Sequence, residues 1–535
     1  MTTTTSPLQP SPPSTCDVLI IGGGNAGFSA ALSACEHGAR DVLLIDKCPE
    51  TWAGGNSYFT AGAFRTAHAG LADLLPIVNN VDADRARRID MEPYAREDFA
   101  RDLKRVTVGR CDPRLGKILV DESNEAVKWL AGHGVRYQLS FNRQAYLVDG
   151  RYKFWGGMAL KTQDGGKGLI EDHRRAAERM GIRVLFSTAM TRLAISPTGI
   201  CTGATVTDPS GASRLITARA TILAAGGFEA NPRMRAQHLG PGWDLAFVRG
   251  TPYNTGDVLE AAMRDAGGAQ AGNWSGCHSV AWDANALPDS GDRKISNEFT
   301  KSGYPIGLML NSEGRRFVDE GVDFRNFTYA KFGRAILQQP NGVAWQVYDS
   351  NVVSWLRDEE YRDEIVEKVT ADSVEALAKK CVEQGLSDPT RFVQTIQEYN
   401  EAVYAHRKEN PGIKWDPAIK DGLSTQSGRG GLLVPKTNWA LPLDKGPFIA
   451  IKVSCGITFT FGGLKVDPET AGLVSGTTGR IVPGLFCVGE MLGGIFYGNY
   501  PGGSGLTSGA VFGRRAGRAA AQVVRRDVAT VSARL

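Results

Sequence analysis

Long apolar runs, paired cysteines and blocks of like charge are all missing from this chain of 535 residues. No stretch approaches the roughly 20 apolar residues of a membrane span, and the N-terminus lacks the charged and apolar regions of a signal peptide. Nine cysteines are scattered without a C-x-x-C spacing, which argues against a disulfide framework, a zinc site or an iron–sulfur cluster and implies a reducing compartment. A formal charge of +4 is close to neutral for this length, and without a Lys/Arg block the chain has no footprint for nucleic acid. Residues 1–15 (MTTTTSPLQPSPPST) read as a disordered tail. The final Ala533-Arg534-Leu535 has the small–basic–leucine form of a peroxisomal address; the plainer reading is a frayed helix end, and cytoplasm is the expected location.

Glycine is what the chain has in excess: 64 residues, about 12%, against the usual roughly 7%. The glycines cluster between apolar strands instead of forming a repeat, so they mark tight turns and close approaches of backbone to a ligand. The first cluster follows the apolar run Asp17 to Gly22, of the kind buried in a parallel sheet. Gly22-Gly23-Gly24-Asn25-Ala26-Gly27 is a G-x-G-x-x-G turn, leading into a small-residue helix over Phe28 to His37. A second strand, Asp41 to Ile45, ends in Asp46, 24 residues beyond Gly22. In this arrangement Gly22 makes the turn, Gly24 admits a pyrophosphate, Gly27 packs helix on strand, and Asp46 accepts from a ribose.

The second cluster lies at the opposite end of the chain. A short strand, Leu485 to Val488, runs into Gly489-Glu490, then a glycine-dense loop, then a helix opening near Ser504. A helix start directly after a glycine loop points free N–H groups and a positive dipole end at whatever binds there. A flavin's pyrimidine carbonyl fits that position, with Glu490 on a ribityl or ribose hydroxyl. A third apolar strand, Thr221 to Phe228, ends in Gly-Gly beside the adenine, and no second fingerprint provides for a nicotinamide. These features favour FAD over NAD.

The motifs resemble the flavoproteins of the fumarate reductase and succinate dehydrogenase type, most closely the tricarballylate dehydrogenase branch. The resemblance runs from about Cys16 to Ala520. It is carried by Gly54-Gly55-Asn56-Ser57, the LAAGGFE segment, Asn311-Ser312-Glu313-Gly314-Arg315-Arg316-Phe317 with Glu320, Gly456 to Gly463, and Asn499-Tyr500-Pro501-Gly502-Gly503. It implies an α/β fold: a Rossmann-like FAD-binding domain, a parallel sheet with helices, interrupted by an α+β cap domain. The FAD domain is expected over 16–272 and again over 455–535, with the cap at 273–454. Within the cap, helical spacing covers Asp372 to Gln384 and Pro389 to Tyr404. The cofactor contacts implied are Gly22, Gly24, Asn25, Ala26, Gly27, Asp46, Lys47, Gly54, Gly55, Asn56, Ser57, Ala225, Gly226, Asp257, Glu490, Ser504 and Leu506. Asn56 stands where covalent members carry a histidine, so FAD is expected to be held non-covalently.

In fumarate reductase-like members a hydride moves between flavin N5 and one carbon of a C–C bond, and an arginine exchanges the proton at its neighbour. Two histidines and a second arginine clamp the substrate carboxylates. Here His278 matches the first clamp histidine, and Arg325 falls one residue from the proton-transferring arginine. Phe459 replaces the second histidine, and Tyr500 replaces the clamp arginine. The tricarballylate branch shares both replacements, which make a small dicarboxylate a poor fit because a buried carboxylate needs paired charge. Each candidate has a plainer alternative: an interface histidine for His278, an ion pair with Glu320 or Asp323 for Arg325, and packing for Tyr500. An arginine also needs a relay to move a proton, since its pKa lies above about 12.

The reading is an FAD-dependent dehydrogenase of a C–C bond beside a carbonyl or carboxylate, with an Arg-centred proton relay and tricarballylate as reference substrate. The alternatives are a tailoring oxidoreductase of secondary metabolism acting on a ketone, sugar-like or polyketide-type metabolite, and a flavoprotein subunit that docks an electron-transfer partner. Electrons are expected to leave to a quinone, a partner protein or oxygen, with no metal site and no stable membrane insertion.

Overall fold

A computed structural model describes residues 12–417, 419–428 and 430–532, with backbone alone for Asn326 and for 527–532. Residues 1–11 of the expected tail and the Ala533-Arg534-Leu535 tripeptide lie outside the described residues. Thr15 opens the first strand, and Ser14 O accepts from Thr217 N at 2.9 Å. Among the described residues no helix is long and apolar enough to cross a membrane. The chain divides into two units: Met1–Met234, Gly250–Cys277 and Phe459–Leu535 form one, and Arg235–Arg249 with His278–Thr458 form the other.

The first unit is built on an eight-stranded sheet. Its parallel part runs Arg183–Leu185, Val42–Ile45, Thr15–Ile21, Ser213–Leu223 and Ile481–Cys487, in that spatial order. All four residues of Val42–Ile45 are buried, as are Leu19, Ile20, Ile222, Leu223, Leu485 and Cys487, the composition a sheet covered on both faces demands. The eleven-residue strand Ser213–Leu223 serves two partners on one edge: Ser213 to Thr217 pair antiparallel with Cys201–Thr207, and Thr221 to Leu223 pair parallel with Leu485 to Cys487. The register places Ile45, Ile21, Leu223 and Cys487 level with one another. The turns that follow these four strands therefore leave the sheet at the same carboxyl edge. In an open parallel sheet, that edge is where ligands bind.

The first helix spans Asn25–Glu36, three residues earlier than expected, because the last glycine of the turn already sits in its first turn. A Cβ on Gly27 would press into Gly22 O, so helix and strand meet backbone to backbone. The long C-terminal helix, Ser504–Ser532, packs along this one. Gly513 and Gly517 face it, and a Cβ on Gly513 would come within 2.6 Å of Ala26 O, while one on Gly517 would overlap Ala30 O. Ser33 Oγ donates to Arg514 O at 2.7 Å across the same seam. The expected strand over Thr221 to Phe228 stops at Leu223, and the chain beyond it turns at Gly226, where φ is +76°.

The second unit holds a sheet in the order Phe247–Val248, Phe448–Leu464 as far as Thr458, Ala344–Tyr348, Leu308–Asn311, with Val369–Ala371 also paired to Phe448–Leu464. Alternation at period two gives it two apolar faces. Leu308, Leu310, Trp345, Val347, Phe448 and Ala450 pack with Leu377, Cys381, Phe392, Ile396 and Tyr399 of two helices. Met309, Ala344, Tyr348, Ile449 and Ile451 pack on the other side with Phe332 and Ile336. The two helices are Val374–Val382, capped by Ser373, and Pro389–Glu409, capped by Asp388 with proline at its first position. The second runs five residues beyond the expected Tyr404, because no glycine or proline interrupts it before Asn410.

Candidate cofactor site

Every expected cofactor residue lies in the first unit, on the loops at the carboxyl edge of the sheet or on elements bonded to them. Gly22, with φ +111°, makes the turn after the first strand, where a Cβ would strike Ala224 O. Asp46, after the second strand, accepts from Gly23 N at 2.8 Å and Cys48 N at 3.0 Å, which fixes its carboxylate at the mouth of the glycine turn. Asn25 N donates to Ser57 Oγ at 3.0 Å. A Cβ on Gly24 would meet no protein atom closer than Ser57 Oγ at 3.5 Å, so this glycine is not demanded by the protein's own packing. The backbone there is bare toward the cradle, which is what an approaching pyrophosphate needs.

The two ends of the chain meet at this point. A Cβ on Gly489 would lie 2.7 Å from that of Ala26, and Asn25 Nδ2 donates to Leu506 O at 2.8 Å. Asn25 Oδ1 is held 2.9 Å from Nε2 of His173, a buried imidazole stacked on Phe28 with ring centroids 5.4 Å apart. Burial, followed by the charge of His133, pushes His173 down to about 3, so it is a neutral donor that orients Asn25. Ser504 Oγ is taken by Pro501 O at 2.6 Å and Gly503 has φ +84°, so the loop closes tightly onto the first turn of the C-terminal helix. Lys47 forms an ion pair with Asp257 at 2.6 Å and reaches Thr255 Oγ1 at 2.5 Å. Ala225 N points at Met491 Sδ, 3.2 Å away.

A carboxyl pair, Glu229 buried and Glu490 half-buried, stands behind the cradle. Glu490 Oε1 accepts from Thr460 N at 2.7 Å and from Thr460 Oγ1 at 3.1 Å. Its second partner is Glu229, fully buried, whose Oε1 accepts from Asn254 Nδ2 at 2.6 Å and from Asn56 Nδ2. Asn56 Oδ1 in turn accepts from Thr251 N at 2.9 Å. Burial, then the neighbouring charge of Glu490, drives Glu229 well above the usual carboxylate range, and burial raises Glu490 to about 7. Two carboxyl groups sharing a hydrogen bond need a proton between them, and Glu229 carries it. Asn56, in the position the resemblance gives to a tethering histidine, is an amide committed to Glu229 and Thr251; it offers no nucleophile.

The expected catalytic residues divide between the units. Tyr500 belongs to the first, in an aromatic cluster with Phe459, Phe496 and Phe461 at centroid distances of 5.0, 5.7 and 6.5 Å. His278 and Arg325 belong to the second. His278 is buried edge-on to Tyr329 at 5.9 Å, and burial followed by the charge of Arg249 holds its pKa well below the ordinary imidazole value. Arg325, half-buried, opens a short helical turn, Arg325–Phe327. The carboxylates expected to compete for it are engaged elsewhere: Glu320 by Arg316, and Asp323 by Lys420 at 3.3 Å. Among the described residues no carboxylate pairs with Arg325. Sequence motifs missed His173 and the role of Glu229; the spacing of Gly513 and Gly517 at four residues was the one readable signal for the helix seam.

A βαβ glycine turn, a level row of strand ends, and a glycine-opened helix from the far end of the chain define a dinucleotide cradle suited to FAD. The chain belongs to the FAD-binding-domain family, whose description matches residues 17–506. It is an FAD-dependent flavoprotein oxidoreductase with the α/β fold of the fumarate reductase and succinate dehydrogenase flavoproteins. It is 26% identical over 521 residues to a fumarate reductase (cytochrome) of Shewanella frigidimarina, covering 97% of this chain and 79% of that protein. It is also 26% identical over 585 residues to a 4-oxocyclohex-2-ene-1-carboxylate 5-dehydrogenase of Sinomonas cyclohexanicum, covering 95% and 94%. The solved open conformation of a flavocytochrome c3 fumarate reductase superposes with a TM-score of 0.70 at 25% identity, covering 96% of this chain and 79% of that one.

Proposed function

We propose that the protein dehydrogenates, or in reverse reduces, a carbon–carbon bond next to a carbonyl or carboxylate, with a tricarballylate-type acid as reference substrate. The cofactor's chemistry is to take up or return the hydride. The chain's own contribution is to bind and orient the substrate and to move the proton on the adjacent carbon, a role we assign to Arg325. One observation carries this assignment. Glu320 and Asp323, the carboxylates that would make Arg325 a structural ion-pair partner, are held by Arg316 and Lys420. A half-buried guanidinium so placed is available for substrate. Tyr500 donates one neutral hydrogen bond, and His278, neutral by burial, donates or accepts a second without adding charge.

The names of the similar proteins support the same class of reaction. One acts on fumarate, and another on a ring bearing both a ketone and a carboxylate. The aromatic surroundings of Tyr500 favour a second substrate type within this class, an apolar ketone set against Phe459 and Phe496. Anaerobic mixing of the yellow protein with tricarballylate and with a panel of cyclic ketones, followed at the flavin absorbance, separates the two. In the same assay Arg325→Ala retains FAD and loses turnover by about 10²-fold or more, the scale of general acid–base catalysis. Unchanged turnover removes Arg325 from the proton relay.

A further inference from the structure

The helix Gly165–Arg179 carries none of the expected cofactor residues, yet one of its faces backs the glycine-rich loops of the first unit. Gly166, Ile170 and His173 stand at i, i+4 and i+7 along that face. A Cβ on Gly166 would overlap Ser57 O, and one on Gly54 would lie 2.6 Å from Ile170, so the turn over Gly54–Ser57 rests directly on this helix. His173 extends the contact to the first glycine turn. It is fully buried, stacks on Phe28, and holds its Nε2 2.9 Å from Asn25 Oδ1.

The proton on this imidazole is assigned by a carbonyl at the start of the C-terminal helix. Leu506 O can only accept, so the Asn25 amide turns Nδ2 toward it, at 2.8 Å. That leaves Oδ1 facing His173, whose Nε2 therefore carries the hydrogen. The other ring nitrogen, Nδ1, is buried and meets no hydrogen-bonding group among the described residues. Charging the ring would add an N–H there with nothing to receive it. A phenylalanine would fill the same space and stack on Phe28 without leaving a bare nitrogen in the interior. What the imidazole adds is the one hydrogen bond to Asn25.

Asn25 in turn joins three segments. Its N–H donates to Ser57 Oγ at 3.0 Å, its Nδ2 donates to Leu506 O, and its Oδ1 accepts from His173. Gly509 leaves room for this amide, since a Cβ there would stand 2.9 Å from Nδ2. Freed from His173, the Asn25 side chain could rotate away from Leu506 and loosen the join between the two ends of the chain.

We propose that His173 is a positioning residue for FAD. By fixing the Asn25 side chain it holds the turn of residues 22–27 and the start of the C-terminal helix in one relation, so that a dinucleotide meets a cradle already formed. Affinity gained this way comes from order present before binding and needs no contact between His173 and the ligand. The proposal concerns the cofactor alone and goes beyond the reaction proposed above.

FAD titration of the full-length apoprotein tests it, read at equilibrium by quenching of flavin fluorescence. His173→Phe keeps a ring against Phe28 and removes the donor; it is expected to bind FAD roughly 10-fold less tightly, the scale of one buried acceptor left without its partner. Asn25→Ala removes the tie itself and should lose about as much. The double variant should fall within about twofold of the weaker single one, where independent losses would multiply to roughly 100-fold. His173→Gln, whose amide can donate in place of Nε2, should recover binding to within about threefold of wild type. A residue that only packs would lower the melting temperature of His173→Phe and leave the FAD affinity of the folded protein unchanged. If His173→Phe does not fold, nitrogen NMR of the wild-type imidazoles and the Asn25→Ala titration carry the test: the ring is expected as the neutral Nε2–H tautomer at neutral pH, with weakened FAD binding in the variant. The proposal falls if folded His173→Phe or Asn25→Ala binds FAD as wild type does, if the two losses multiply, if glutamine restores nothing, or if the proton sits on Nδ1 or on both nitrogens. None of these readings involves a substrate, so their failure leaves the proposed reaction standing.

Discussion

Replacing Glu229 by glutamine removes one ionisable proton and almost nothing else. If Glu229 is the protonated member of its pair with Glu490, the amide keeps both of its functions. Its oxygen still accepts from Asn254 and Asn56, and its NH₂ still donates to Glu490. Glu229→Gln should then match wild-type stability within about 1 kcal/mol near pH 6. Glu229→Ala leaves two asparagine donors and a half-buried carboxylate without their partner and should cost about 2–4 kcal/mol. The pH profile sharpens the test. Both carboxyl groups titrate higher in the folded chain than in the unfolded one, so their contribution is complete below the unfolded value near 4.5 and is lost as pH rises through the folded values. For Glu490, raised to about 7, the loss accrues at about 1.4 kcal/mol per pH unit between roughly pH 5 and 7. Glu229→Gln deletes the Glu229 share, so its melting temperature should fall less than that of wild type between pH 5 and 8. Differential scanning fluorimetry of the apoprotein, free of any cofactor contribution, measures all three proteins. A glutamine variant as unstable as the alanine variant at pH 6, or one with the wild-type slope, would refute the shared proton.

Three further outcomes follow from contacts described above. Gly513→Ala and Gly517→Ala together drive methyl groups into the backbone of the first helix and should destabilise by about 2–5 kcal/mol, overpacking exceeding the gain in helix propensity; thermal melts read it. Tyr500→Phe should leave FAD content unchanged and lower turnover by roughly 10-fold, the loss of one neutral hydrogen bond; an unchanged kcat/KM would make Tyr500 a packing residue. Lys47→Met, which strips Asp257 of its ion-pair partner at the cradle, should weaken FAD binding roughly 3- to 10-fold at low salt and less at high salt, measured by release of flavin fluorescence.

The cofactor half of the molecule was readable because its constraints are local. Gly22, Gly27 and Asp46 are dictated by one turn and its neighbours, and Gly489 and Ser504 by another, so each leaves a short pattern in the chain. The relation between those two patterns was inferred from function. Its physical basis is the level register of Ile21, Leu223 and Cys487, which no short window contains. Strand and helix ends shifted for identifiable reasons. Asn25 joined the helix because the glycine turn is itself its first turn, and the strand after Thr221 stopped where Gly226 takes a positive φ. Buried polar pairings stayed hidden. Glu229 meets Glu490, which is 261 positions away, and Asn56 meets Glu229 across 173, so neither partner could be named from spacing.

The parallel sheet of the first unit takes one of its strands, Ile481–Cys487, from more than 250 residues beyond the edge it completes. During synthesis the edge of Ser213–Leu223 must therefore wait, for tens of seconds at ribosomal speeds of roughly 5–20 residues per second, with unpaired N–H and C=O groups open to other chains. The cradle is complete only when Gly489 and the helix after Gly503 reach Ala26 and Asn25, so we expect FAD to be a late ligand that locks a nearly finished protein. Low flavin supply during expression should accordingly show itself as aggregation of full-length chains.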